Sequence, residues 1–140
     1  MKSSFVTALL GVTLYAAPTL AHYRFTSLIY NNNITGEYEY VRANTGSNSP
    51  VKNVTSDDMR CNVGGLLTGN STKVASVAAG DEVGFKLDTA IFHPGPLAIY
   101  MSLASSGDVK TYDGSGDWFK IVEYGANITS TSISKLYPDL

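Results

Sequence analysis

The amino-acid sequence predicts an all-β protein built as a β-sandwich, and three observations carry that expectation. No long stretch of the 140 residues shows the hydrophobic period of a helix. Several short runs alternate apolar and polar residues, and clusters of Asn, Gly, Ser, Asp and Pro separate them. The composition is rich in turn formers and tyrosine and poor in charge, with 13 Gly, 9 Tyr and 16% charged residues.

The elements follow in chain order. Residues His22 to Tyr30 read as a first strand, with Tyr23, Phe25, Ser27 and Ile29 on one face. Asn31-Asn32-Asn33 is a turn signal. Glu37 to Val41 alternates and is expected to be a half-buried strand, followed by a polar loop from Ala43 to Asn53. Thr55 or Ser56, ahead of Asp57-Asp58-Met59, is placed to start one short helical turn before Cys61. Lys73 to Val77 and Val83 to Leu87 are expected to pair as a hairpin across the Ala79-Gly80-Asp81-Glu82 turn. Leu97 to Leu103 is a further strand and Ser105 to Gly116 a loop. Trp118 to Glu123 is the last strand, with Trp118 and Phe119 assigned to the core rather than to sugar stacking. From Ala126 to Leu140 the pattern is lost, and this stretch is expected to be a divergent tail. No repeat and no linker divides the chain.

Residues 1–21 have the order of a secretory signal peptide: Lys2, then an apolar run from Phe5 to Ala17 too short to span a bilayer, then small residues ending at Ala21. A buried N-terminal helix is the weaker alternative. The expected localisation is therefore secreted and extracellular. Four N-x-[ST] sequons, at Asn33, Asn53, Asn70 and Asn127, agree with that route and suggest a glycoprotein. The single Cys61 cannot form an internal disulfide, so it is a free thiol or its partner is absent.

Other chemistries are poorly served. A formal net charge of −2 argues against nucleic acid as a partner. Two histidines cannot make a zinc finger, no glycine loop has phosphate-binding spacing, and no nucleophilic triad is credible with His22 and His93 as the only imidazoles. Asp57 and Asp58 are adjacent, so a strand or helix would point them apart, away from the facing geometry that glycoside hydrolysis needs.

Cleavage after Ala21 would leave 119 residues beginning with His22. An N-terminal histidine offers its α-amine and its imidazole Nδ1 to one metal ion as a chelate. The amine's ordinary pKa of about 7.7–8.0 lets a metal displace its proton near neutrality. A second imidazole completes a three-nitrogen, T-shaped set, a donor arrangement that suits Cu(II). His93, in Phe92-His93-Pro94-Gly95-Pro96, is the other imidazole, on a loop whose prolines restrict the backbone. On the residues alone, His93 as an ordinary loop histidine and His22 as an accident of cleavage remain alternatives.

A resemblance joins these residues. His22-Tyr23-Arg24-Phe25, the Gly36 to Arg42 segment, Val54 to Cys61, Ala78 to Val83, His93-Pro94-Gly95-Pro96 and Tyr112 to Ile121 occur in order. Together they resemble the fungal lytic polysaccharide monooxygenases of auxiliary activity family nine. The resemblance runs from His22 to about Glu123 and implies an immunoglobulin-like (fibronectin type III-like) β-sandwich over residues 22–125. It implies a copper brace, with His22 and His93 as metal and catalytic residues and Cu(II) as the cofactor, on a flat face. Implied too are oxidative cleavage of cellulose or related β-glucans with O₂ or H₂O₂, an external electron donor, and a monomer with no membrane partner. A non-catalytic secreted copper binder and an inactive fragment are the alternatives. The family domain is roughly twice as long as 119 residues. Its C-terminal half holds an axial tyrosine, a glutamine and a histidine near the oxygen site, the remaining strands, and a cysteine matching Cys61. None has a counterpart here, so the resemblance implies an incomplete sandwich truncated at its C-terminus.

Overall fold

A computed structural model of the chain describes residues 22–91, 95–128 and 133–135. Its elements are β1 (Phe25–Tyr30), β2 (Asn33–Ile34), α1 (Asp58–Cys61), a 3-10 helix (Gly65–Ser71), β3 (Val83–Leu87), β4 (Leu97–Ser102), β5 (Trp118–Tyr124), β6 (Ala126–Ile128) and β7 (Ile133–Lys135). The architecture is all-β, consistent with the immunoglobulin-like sandwich expected. Strands form a three-stranded sheet in the order β2-β1-β3, a β4-β5 pair and a β6-β7 pair, every neighbour antiparallel.

The first strand starts later than the alternation suggests, at Phe25 rather than His22. A bulge falls between Phe25 and Ser27, where Phe25 pairs with Leu87 and Ser27 with Lys86. The bulge breaks the expected single face, so consecutive Thr26 and Ser27 are both buried, at 1% and 2% exposure, while Phe25 is exposed. Asn31 and Asn32 take φ of 50° and 58°, as the two central residues of a type I′ turn require. The Asn31-Asn32 turn therefore forms as expected, and closes β1 onto the short β2.

Two expected strands are absent. Glu37 to Tyr40 is a turn, not a strand. Tyr38 sits at φ 55°, the Glu39 N–H bonds the Gly36 carbonyl, and the Glu39 carboxylate accepts from the Gly36 N–H at 2.9 Å. This closed local loop outcompetes a pattern that alternation alone would extend. Lys73 to Val77 carries no strand either, so the expected hairpin is corrected. The turn before β3 does form, with Gly80 at φ 95° and the Asp81 carboxylate accepting from the Ala78 N–H. The partner that fills β3's edge is β1, some fifty residues earlier in the chain, fastened by an edge-to-face contact of Phe25 on Phe85 at 6.0 Å.

Between the sheets the chain is held by polar contacts. Helix α1 forms the expected turn before Cys61, but Asp57 is its N-cap and provides no side-chain cap bond. Arg42 pins the loop ahead of β5, its Nη2 donating to the carbonyls of Val109 (3.0 Å), Lys110 (3.3 Å) and Tyr112 (2.6 Å). Tyr112 shares a hydrogen bond with Ser102 at 2.6 Å and accepts from the Gly116 N–H, and the Trp118 indole donates to the Gly114 carbonyl at 2.8 Å. The glycine-rich segment before Trp118 is thus a tightly bonded entry into β5.

The core is small. Among the described residues Ala104 is the one buried hydrophobic side chain. Trp118 and Phe119 were expected inside, yet both are exposed, Phe119 at 60%. The register shows why. Past a bulge between Ile99 and Tyr100, Met101 pairs with Phe119 and Ser102 with Trp118, and among the described residues no other strand pairs with either β4 or β5. The patternless stretch after Gly125 carries a backbone hairpin, β6 with β7.

Candidate metal centre

The antiparallel pairing of β1 with β3 brings the residues just before β1 beside those just after β3. There the backbone ladder is closed by a side-chain clamp. The Asp88 N–H donates to the Arg24 carbonyl at 2.9 Å, and the Arg24 N–H donates to Asp88 Oδ1 at 3.0 Å. Arg24 Nε donates to Asp88 Oδ2 at 2.8 Å, making the pair an ion pair as well. Burial alone would push the Asp88 carboxyl up, but the Arg24 N–H and guanidinium outweigh it and hold the carboxyl below its ordinary range. The same contact raises Arg24 above its ordinary value.

His22 stands two residues ahead of this clamp, exposed, and among the described residues it makes no hydrogen bond or ion pair. An uncommitted, solvent-facing imidazole two residues ahead of the clamp fits the donor chemistry of a copper chelate. Its α-nitrogen becomes a free amine only after cleavage behind Ala21. His93, the second expected ligand, lies outside the described residues, as do residues 1–21 with the expected signal segment. His93 follows Asp88 by five positions, so both histidines flank the same clamped strand ends in sequence. Among the described residues no group of three or more His, Cys, Asp and Glu stands together.

Sequence reasoning missed the clamp. Arg24 and Asp88 are separated by 64 positions, and nothing local marks them as partners. The one available signal was opposite charge at the outer ends of two strands, usable only once their pairing is known. Elsewhere, an open cleft of about 240 Å³ is lined by Tyr40, Arg42, Lys73, Val109 and Lys110 among others, and none of its lining residues belongs to the Arg24–Asp88 end. Cys61 is a free, half-buried cysteine with the Arg42 guanidinium 3.9 Å from its sulfur. Among the described residues no helix is long and apolar enough to cross a membrane.

Comparison with known proteins points one way. The model of Auxiliary Activity family 9 (formerly GH61) matches residues 22–137. AA9 family lytic polysaccharide monooxygenase C of Emericella nidulans is 45% identical over 139 residues, covering 96% of this chain and 58% of that protein. Lytic polysaccharide monooxygenase E of Podospora anserina is 43% identical, covering 82% of this chain and 39% of its own length. Lytic polysaccharide monooxygenase G of Aspergillus tamarii is 47% identical over 74% of this chain and 33% of its own. The chain thus spans between a third and three-fifths of the length of these relatives.

Proposed function

The chain belongs to Auxiliary Activity family 9, and from that premise we propose that it serves copper-dependent oxidative cleavage of glycosidic bonds in cellulose or a related β-glucan. The observation that carries the reading is that the family match begins at His22, the residue that signal cleavage would expose. His22 and His93 would hold the ion. Copper supplies, when bound, one-electron chemistry with O₂ or H₂O₂ that removes hydrogen from a glycosidic carbon, with an external donor returning electrons.

The remaining work falls to the chain. His22 contributes an amine and an imidazole from one residue, which lowers the entropy cost of ligation. The amine must lose its proton for this, which its ordinary pKa near 8 allows at about neutral pH. The Arg24–Asp88 clamp fixes the backbone behind His22 and, through Asp88, the start of the segment leading to His93. The exposure of His22 suits a substrate that is a surface and cannot enter a pocket. Residues 1–21 direct the chain out of the cell, where the polymer lies, and it works there as a monomer.

The test is a Cu(II) titration of the secreted protein, with its N-terminus read by mass spectrometry, beside a cellulose assay with reductant. One tightly bound copper per chain and oxidised oligosaccharides are expected. His22→Ala and His93→Ala should each weaken copper binding by at least about tenfold, equivalent to about 1.4 kcal/mol. Unchanged affinity in either variant, or a mature chain starting elsewhere, defeats the assignment. The chain covers only part of its relatives, so copper binding without products would favour a non-catalytic secreted copper binder.

A further inference from the structure

We propose that Asn53 is an N-glycosylation site that stays open to modification after folding, and that it is more completely modified than the sequons at Asn33 and Asn70. The inference rests on the secretory route proposed above. Four sequons are present, and the fold treats them differently.

In Asn33-Ile34-Thr35, the Asn33 Nδ2 donates to the Asn31 carbonyl at 2.9 Å. The Thr35 hydroxyl donates to the Leu28 carbonyl at 3.0 Å and accepts from the Leu28 N–H at 3.1 Å, so this sequon is built into the β1–β2 edge. In Asn70-Ser71-Thr72, at the end of the 3-10 helix, Thr72 is buried to 8% exposure and its hydroxyl donates to the Thr68 carbonyl at 2.8 Å. Asn127 lies in β6, paired with Ser134. An enzyme that must grasp all three residues of either of the first two would have to undo native hydrogen bonds.

Asn53-Val54-Thr55 has no such commitment. All three residues are exposed, Val54 at 74%. The tripeptide's side-chain hydrogen bonds close on themselves: Asn53 Oδ1 accepts from the Thr55 N–H at 3.1 Å and from the Thr55 hydroxyl at 2.7 Å. The Asn53 carbonyl accepts from the Ser56 N–H and hydroxyl, which anchors the backbone of the loop. Among the described residues the Asn53 Nδ2 has no acceptor, and that nitrogen is the one that reacts.

The co-substrate is a lipid-diphosphate-linked oligosaccharide. Nδ2 forms a bond to the anomeric carbon, the carbon–oxygen bond to the diphosphate breaks, and the diphosphate leaves with the electron pair. Nδ2 gives up one proton, and nothing is oxidised or reduced. The glycan then covers Val54, whose side chain is otherwise open to water.

The experiment makes the full chain in a secreting eukaryotic host, once under residues 1–21 and once with a heterologous leader in their place. Glycans are released enzymatically in ¹⁸O water, and each sequon peptide is scored for labelled Asp. Asn53 should show higher occupancy than Asn33 and Asn70, and Asn53→Gln should lose one glycan step in mobility. Secreted material in which Asn53 is unmodified, or less occupied than either, overturns the proposal. Modified Asn53 under the heterologous leader alone supports the proposal and defeats the secretory reading of residues 1–21.

Discussion

At the scale of single residues, the chain depends on polar side chains to do what a larger core does elsewhere. Asp88 holds the start of β1 to the end of β3 through three hydrogen bonds with Arg24. Asp88→Asn keeps the shape and removes the charge, so it should cost about 1 kcal/mol, since the pair is partly open to water on its Arg24 side. The pH dependence has a definite sign. Asp88 is held below its ordinary value, as are Glu39 by Lys73 and the Gly36 N–H, and Asp113 by Ser115. A carboxyl with a depressed folded value contributes stability that is complete above the unfolded value near 3.9 and is lost as the pH falls through the folded one. Thermal melts should be flat from neutrality to about pH 5 and fall below about pH 4, with a shallower fall in Asp88→Asn. Thr26 is the opposite case: its side chain is buried and, among the described residues, its hydroxyl has no partner. Thr26→Val should raise stability by about 1 kcal/mol, read from denaturant midpoints, because it removes an unsatisfied polar atom and keeps the β-branched shape. A loss of stability would show that the hydroxyl is hydrated in solution.

At the scale of elements, short segments hold their places by close backbone approach. Gly69, within the 3-10 helix, lies against the loop that Arg42 pins, and a Cβ there would stand 2.1 Å from the Lys110 carbonyl oxygen. Gly69→Ala therefore forces the loop away and should destabilise by about 1–3 kcal/mol, measurable as a lower melting temperature. Wild-type stability in that variant would mean that helix and loop are not packed this closely. Residue type was a good guide at β4 and β5, where the ladder is local and the runs are long. It failed at Glu37 to Val41 because one glutamate could satisfy a backbone N–H three residues away and close a turn. It failed again at Lys73 to Val77, whose first residue is tied by its N–H and its ammonium to Glu39 rather than to β3.

At the scale of the whole molecule, the dominant feature is apolar surface. Met101 and Phe119 face the same way on the β4–β5 sheet at 54% and 60% exposure, and Leu103 beyond them is 83% exposed. Contiguous apolar area of this kind drives association. The 140-residue chain should bind a hydrophobic dye and sediment faster with rising concentration, and Phe119→Lys with Met101→Lys should reduce both. A wild-type chain that stays monomeric and dark at high concentration would contradict the open face. Self-association through that face sets in only above the dilution at which the secreted monomer works.

The candidate centre divides in the same way. Composition, the spacing of turn residues and the ordered motifs were sufficient for an all-β class, for the loop-to-β5 segment and for the nomination of His22 and His93, because those signals are local and written in residue type. The pairing of β1 with β3, the Arg24–Asp88 clamp, the bulge that buries both Thr26 and Ser27, and the exposure of Trp118 and Phe119 were settled by tertiary structure alone. Each depends on which distant strand supplies hydrogen bonds or cover, and neighbouring residues in sequence carry no information about that choice.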